Sequence, residues 1–335
     1  MKNKLTVSKR YILVVATALI LSIIASGSLS CNSKPEPIRI GLPPYTPAYE
    51  PVYVAASQGF FSANGLNATI KEYESGQAAV QGMLAGEMDI AGASEYPVVG
   101  NALNKDEIRI IASISQGLDF SIIGRKDRGI ETVQDFKGKR IGVTFHTINE
   151  FYLGRFLSLN GIQTSEVTLV NLPLAKLEDA LANGSVEAVV CREPYTGSIK
   201  KRLATSVLSW PIQSYQPTYA LIVLGTDMVA QHPDTVKRFL TSIKKADEYI
   251  MLHQSEVKAS IQKKLAYDDA TMATYWSQLQ FSLNLDQSLV VAMEDEARWM
   301  ISNNLTSEEE VPFFNDYIYE DALKAVKPEA VNIIR

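Results

Sequence analysis

The chain reads as an α/β protein with two similar units of mainly parallel sheet covered by helices, followed by a helical C-terminal part. Three observations predict this. Strand-like segments alternate with helix-like segments of ten or so residues, as crossover-connected parallel sheets require. The alternation restarts near residue 133. From Pro233 onward the periodicity is helical.

The chain begins with Lys2, Lys4, Lys9 and Arg10, an apolar run from Tyr11 to Ile24, and the small residues Ala25, Ser26, Gly27 and Ser28. This order is that of a secretion signal, and the run is short for a bilayer span. Residues 1–30 are therefore expected to be a signal peptide. Cys31 follows as the acceptor for a diacylglyceryl anchor, and the polar, proline-containing residues 31–37 serve as a tether. A plain signal peptide cleaved elsewhere is the alternative, because Ser28 stands where a lipid-attachment motif usually has leucine.

In the body, residues 38–42 read as a strand and 48–57 as a helix ending near Gly59. Residues 68–73 alternate like a strand and lead through Ser75-Gly76 into a helix that Gly86 closes. A short strand at 88–92 precedes a helix opened by Ser94, and further strands are expected at 108–115 and 121–125. The second unit places strands at 141–144, 167–172, 188–191 and 219–224, with helices at 148–160 and 176–182 between them. Helices are expected at 234–252, 255–265, 269–281, 287–302 and about 316–325.

Composition narrows the function. Removing the leader's four basic residues leaves 28 Lys and Arg against 37 Asp and Glu, a net charge of −9. That balance, with no basic block, argues against nucleic acid. Cys31 and Cys191 are the two cysteines, so lipidation of the first leaves no intramolecular disulfide. His146, His232 and His253 are far apart, and no Cys/His pair has metal-ligand spacing. No metal or cofactor is expected.

Candidate site residues lie where strands run into helices, since ligands of such sheets sit beyond the carboxyl ends of the strands. Ser75 with Gly76, Ser94 with Glu95, and His146 with Thr147 mark three such junctions. Their free backbone N–H groups suit an anion, although each hydroxyl also suits a simple helix cap. Arg192 and Glu193 leave the buried 188–191 strand at the same rim. Arg192 has two readings: a fork onto a carboxylate, sulfonate or phosphonate, or a structural ion pair. Glu193, held extended before Pro194, can accept from a ligand amine or ring donor. Tyr45, Tyr49 and Tyr53 either wall a pocket or face a sheet from one side of a helix. No G-x-S-x-G elbow, Walker loop, dinucleotide fingerprint or H-E-x-x-H motif occurs.

Several segments resemble a known family. These are Tyr53-Val54-Ala55-Ala56-Ser57-Gln58-Gly59-Phe60-Phe61, Gly76 through Gly86-Glu87-Met88-Asp89-Ile90-Ala91, Asp135-Phe136-Lys137-Gly138-Lys139-Arg140-Ile141-Gly142-Val143, and 181–190 leading into Glu193-Pro194-Tyr195. In this order they resemble the periplasmic solute-binding proteins of ABC transporters that include sulfonate, nitrate and taurine binders and binders of thiamine pyrimidine precursors. The resemblance implies a two-lobed periplasmic-binding-protein type II fold closing by a hinge, with lobe one at 38–120 and 225–335 and lobe two at 121–224. It implies a monomer that delivers a small, anionic organic solute to ABC permease subunits, in the periplasm or at the cell surface of a bacterium. By position, Tyr45, Ser75, Gly76, Ser94 and Glu95 would face the solute from lobe one, and His146, Thr147, Arg192 and Glu193 from lobe two. Relatives often carry tryptophan or aspartate where Arg192 stands. A sensor subunit for a membrane signalling protein is the alternative, and an enzyme acting on a pyrimidine precursor a more remote one.

Overall fold

β1 (Glu36–Leu42) sets the pattern of the first sheet. Its Ile38, Ile40 and Leu42 are almost fully buried, and Ile40 lies opposite Ile70 of β2 (Leu66–Glu72) and Ile90 of β3 (Ile90–Ala93). The computed structural model describes residues 34–335, so the expected signal peptide and Cys31 lie outside the described residues. β4 (Ile108–Gly117) completes the first unit and leads into β5 (Ser121–Arg125). The second unit adds β6 (Arg140–Val143), β7 (Thr168–Asn171), β8 (Ala188–Cys191) and β9 (Val207–Pro211). The chain returns through β10 (Thr218–Gly225) and ends with a helical part that contains β11 (Leu279–Asn284).

The first sheet has the order β11-β4-β10-β3-β1-β2 and the second β7-β6-β8-β5-β9. Both are mixed rather than mainly parallel. β1 pairs in parallel with β2 and β3, but β10 runs antiparallel to β3 and β4, and β11 antiparallel to β4. In the second sheet β6 pairs in parallel with β7 and β8, whereas β5 is antiparallel to β8 and β9. The reversed strands β5 and β10 are the ones that carry the chain between sheets. A strand entering from the other unit runs opposite to its new neighbours.

Three differences from the sequence reading bear on the topology. Residues 218–224 were expected in lobe two, yet β10 is held between β3 and β4 of the first sheet, so the return crossing lies at about 212–217. The helix expected at 269–281 ends at Gln278, and residues 279–284 pair with β4 as an edge strand. β9 was not anticipated; its Val207-Leu208-Ser209-Trp210-Pro211 lies at an edge where proline is tolerated.

The helix Ile148–Leu159 has nine of its twelve residues buried. A helix covering one sheet face keeps a wet side. This one does not, because its far side meets the first lobe. Phe151 packs edge-on against Trp299 at 5.7 Å between ring centroids, and Tyr96 lies 6.3 Å from each of them. Trp299 belongs to helix Gln287–Ser302 and Tyr96 to helix Glu95–Leu103, both on the first sheet's side. A cavity of about 180 Å³ opens at this seam beside Leu153, Leu169, Trp299 and Leu305.

Candidate functional site

The carboxyl ends of β1 and β8 point at one another across the two units. β1 runs out through Pro43-Pro44-Tyr45 to Thr46, which is 4% exposed and caps the short 3-10 turn Pro47–Tyr49. β8 runs out to Arg192, whose Nη1 donates to Thr46 Oγ1 at 2.7 Å. This bond joins residues 146 positions apart, one from each unit.

Around Arg192 stand groups from four further places. Phe120, in the first crossing, has its ring centroid 6.0 Å from the guanidinium carbon. The neighbouring half-buried Asp119 has its carboxyl raised by desolvation, an effect that Arg192 partly offsets. Glu193 accepts from the Gly197 N–H at 3.1 Å at the start of helix Tyr195–Leu203. Burial raises its carboxyl too, and Asp119 and Asp268 add to the rise. Tyr275, from helix Asp269–Gln278, lies close to Thr46. Tyr267 is held near Glu193, Arg192 and Asp119, and its buried hydroxyl has no protein hydrogen-bond partner among the described residues. The result is a polar cluster with one guanidinium, two carboxyls held toward their neutral form, and phenol donors. It can bind a small solute through charge-assisted hydrogen bonds.

The crossings are themselves clasped. Gln213, 2% exposed, accepts from the Phe120 N–H at 2.9 Å and donates to the Gly117 carbonyl at 2.9 Å. Tyr152 of helix Ile148–Leu159 hydrogen-bonds Thr218 at 2.9 Å. A hinge would turn on these two short segments.

The other expected site residues divide. Ser75 caps helix Gly76–Leu84, accepting from the Ala78 N–H at 3.1 Å. A Cβ on Gly76 would come within 3.0 Å of Ala93 Cα, so glycine lets this helix end approach the end of β3. Ser94 starts helix Glu95–Leu103 without a side-chain capping bond. Thr147 caps helix Ile148–Leu159, and the exposed His146, in the left-handed region at φ 58°, donates its N–H to Glu150 at 2.8 Å. Two expectations need correcting. Glu95 is 0% exposed and accepts from the Tyr219 N–H, so it lies behind the rim rather than on it. Tyr45 is turned into lobe one: its hydroxyl donates to Glu50 at 2.8 Å and Lys264 sits 3.4 Å above its ring. Its neighbour Thr46 is the residue that crosses. The ion-pair reading of Arg192 fails in its specific form, since Arg192 has no carboxylate within 4.0 Å among the described residues. Cys191 is fully buried with its thiol pushed up to about 12 by burial, which suits packing and not nucleophilic chemistry.

Two open-edged α/β lobes, two crossings and a cleft between strand ends define the periplasmic-binding-protein class. Residues 46–257 match the NMT1/THI5-like family, and the chain belongs to it. A Brucella abortus (strain 2308) protein carrying the provisional name of a binding protein is 25% identical over 273 residues, covering 78% of this chain and 80% of that one. The taurine-binding periplasmic protein of Escherichia coli (strain K12) is 25% identical over 201 residues, 59% of this chain and 62% of its own. Among solved structures, the alkanesulfonate-binding protein SsuA from Xanthomonas axonopodis pv. citri, bound to MOPS, superimposes with a TM-score of 0.72 at 16% identity. The match covers 86% of this chain and 99% of that one. The desulfurization enzyme DSZB shares the fold at a TM-score of 0.63 and 15% identity, covering 88% and 99% of the two chains.

Proposed function

We propose that this protein is a lipid-anchored extracytoplasmic receptor that closes on a small anionic organic solute, sulfonate-like, and delivers it to the permease of an ABC importer. The observation that carries the reading is Arg192 at the end of β8, hydrogen-bonded across the cleft to Thr46 at the end of β1. A guanidinium bridging two lobes at their strand ends offers two parallel donors to a tetrahedral or planar acid while drawing the lobes together. Glu193 and Asp119 beside it favour a solute that also carries a hydrogen-bond donor. Relatives named for binding sulfonates and taurine support the same chemistry. In this reading the protein acts as a monomer in the periplasm or at the cell surface, tethered through Cys31.

A thermal-shift panel of alkanesulfonates, carboxylates, nitrate and pyrimidines identifies the solute class. Saturation at a hundredfold excess over Kd adds about 2.7 kcal/mol to stability. Titration calorimetry of the hit then compares wild type with Arg192→Lys and Arg192→Ala. Both variants are expected to lose most of the affinity while their urea melts stay near wild type, because lysine cannot reproduce the fork. Undiminished affinity in both removes Arg192 from the site.

A further inference from the structure

Behind the rim, where helix Ile148–Leu159 meets the first lobe, two carboxyls lie against each other out of reach of water. Glu95 and Glu296 are each 0% exposed. Glu95 opens helix Glu95–Leu103, and Glu296 lies within helix Gln287–Ser302. The two side chains are within hydrogen-bonding reach of each other. Of their four oxygens one has a protein donor, the Tyr219 N–H at 2.9 Å from Glu95 Oε2. Among the described residues, Glu95 Oε1 and both oxygens of Glu296 have no protein hydrogen-bond partner. Two ionised carboxylates cannot share such a dry site, whereas a pair with one proton between them can.

The surroundings are mostly neutral. Tyr49, Tyr96 and Tyr219 face the pair from lobe one, and Tyr152 faces it from lobe two. Asp295 adds a negative charge beside Glu296, and Glu150 another beside Tyr96. Arg155 is a cation that faces Glu296; its Nη1 stands 3.7 Å from Asp295 and makes no hydrogen bond among the described residues. Tyr152, Glu150 and Arg155 all ride on helix Ile148–Leu159. The lid over the pair therefore belongs to the lobe that moves if the hinge opens.

The geometry points to a proton-operated latch: while the Glu95–Glu296 pair of lobe one shares a proton, helix Ile148–Leu159 of lobe two stays closed over it, and ionisation of the pair parts the lobes at that seam. Opening has two opposed effects on the pair. It withdraws Arg155, which favours the protonated form, and it admits water, which favours ionisation. Both carboxyls are 0% exposed, so burial raises them strongly, whereas Arg155 makes no hydrogen bond through Nη1 among the described residues and only partly offsets the rise; hydration prevails and opening releases the proton. The closed form then binds more protons than the open one. The closed-to-open ratio falls by up to roughly tenfold per pH unit above the ordinary carboxyl range, until the closed pair ionises as well.

Small-angle scattering of the ligand-free protein between roughly pH 5 and 9, at constant ionic strength, reads the lobes directly. Wild type is expected to expand as pH rises. The double variant Glu95→Gln/Glu296→Gln leaves no proton to release at this site and is expected to keep one radius of gyration throughout. A wild-type radius that does not change with pH overturns the latch, and so does the same expansion in the double variant. Infrared difference spectra of wild type give a reading that does not depend on how the variant folds. A protonated-carboxyl band persisting at neutral pH is expected, and its absence refutes the shared proton.

Discussion

Replacing Gly154 with alanine tests whether the two lobes meet where the structure puts them. A Cβ built on Gly154 would lie 2.6 Å from Trp299 Cζ2 and 2.9 Å from its Nε1. Carbon atoms in contact rest at about 3.5–4.0 Å, so roughly 1 Å must be recovered by movement. A shift of Trp299 into the cavity it borders would give up its contacts with the edge of Phe151 at 5.7 Å and with Tyr96 at 6.3 Å. Withdrawal of helix Ile148–Leu159 is the softer route. Overpacking of this kind costs about 1–3 kcal/mol, which lowers the closing equilibrium by roughly 5- to 150-fold. Within lobe two the sign is opposite, because alanine favours a helix over glycine by about 1 kcal/mol. The variant is therefore expected to resist urea as well as wild type or slightly better, yet to scatter as a more open molecule without ligand. An unchanged radius of gyration, with only the small helix gain in the melt, would mean that Gly154 and Trp299 do not form the closing contact.

Two further outcomes separate capping from binding and test the anchor. Ser75→Ala removes the bond to the Ala78 N–H and is expected to cost about 1 kcal/mol in a urea melt, whereas Ser94→Ala, which removes no capping bond, should stay within about 0.5 kcal/mol. A loss of solute affinity in Ser94→Ala without loss of stability would put that hydroxyl in the site, and equal destabilisation by both would contradict the difference in caps. Metabolic labelling with a palmitate analogue is expected to mark wild type and not Cys31→Ser; equal labelling of the two removes the lipid anchor.

Much of the fold was legible because it rests on local pattern. The run Ile38-Arg39-Ile40-Gly41-Leu42 and the buried Ala188-Val189-Val190-Cys191 have strand periodicity and composition, and both are strands within a residue or two of the expected bounds. The direction of a strand is not in its own residues. β10 has the same apolar run as a parallel core strand, and its antiparallel place between β3 and β4 is set by where the chain re-enters the first sheet. β11 shows the same limit. Leu279-Gln280-Phe281 continues the helical pattern of 269–278, and the free edge of β4 turns it into a strand.

The proposed site was legible in the sequence only at Arg192. Arg192 could be placed because it follows a buried strand, and strand ends are where such sheets bind. Its partners could not be read, because they come from residues 46, 119–120, 267 and 275, which share no motif and meet only through the topology. Tyr45 and Thr46 show how fine the distinction is. Successive residues leaving a strand point to opposite sides, so Tyr45 turns to Glu50 and Lys264 while Thr46 turns to the cleft. Glu95 fails for a related reason: a carboxyl in the first turn of a helix reads as a rim residue, but the approach of helices 287–302 and 148–159 seals it in. Charge has to be judged at this level as well. An arginine read alone implies an anion, yet here it stands beside Asp119 and Glu193, and two ionised carboxylates would repel the acid that Arg192 attracts. Burial raises both carboxyls, and a closing cleft removes still more water from them. The guanidinium therefore governs the pocket most strongly in the closed state that this reading of the function requires.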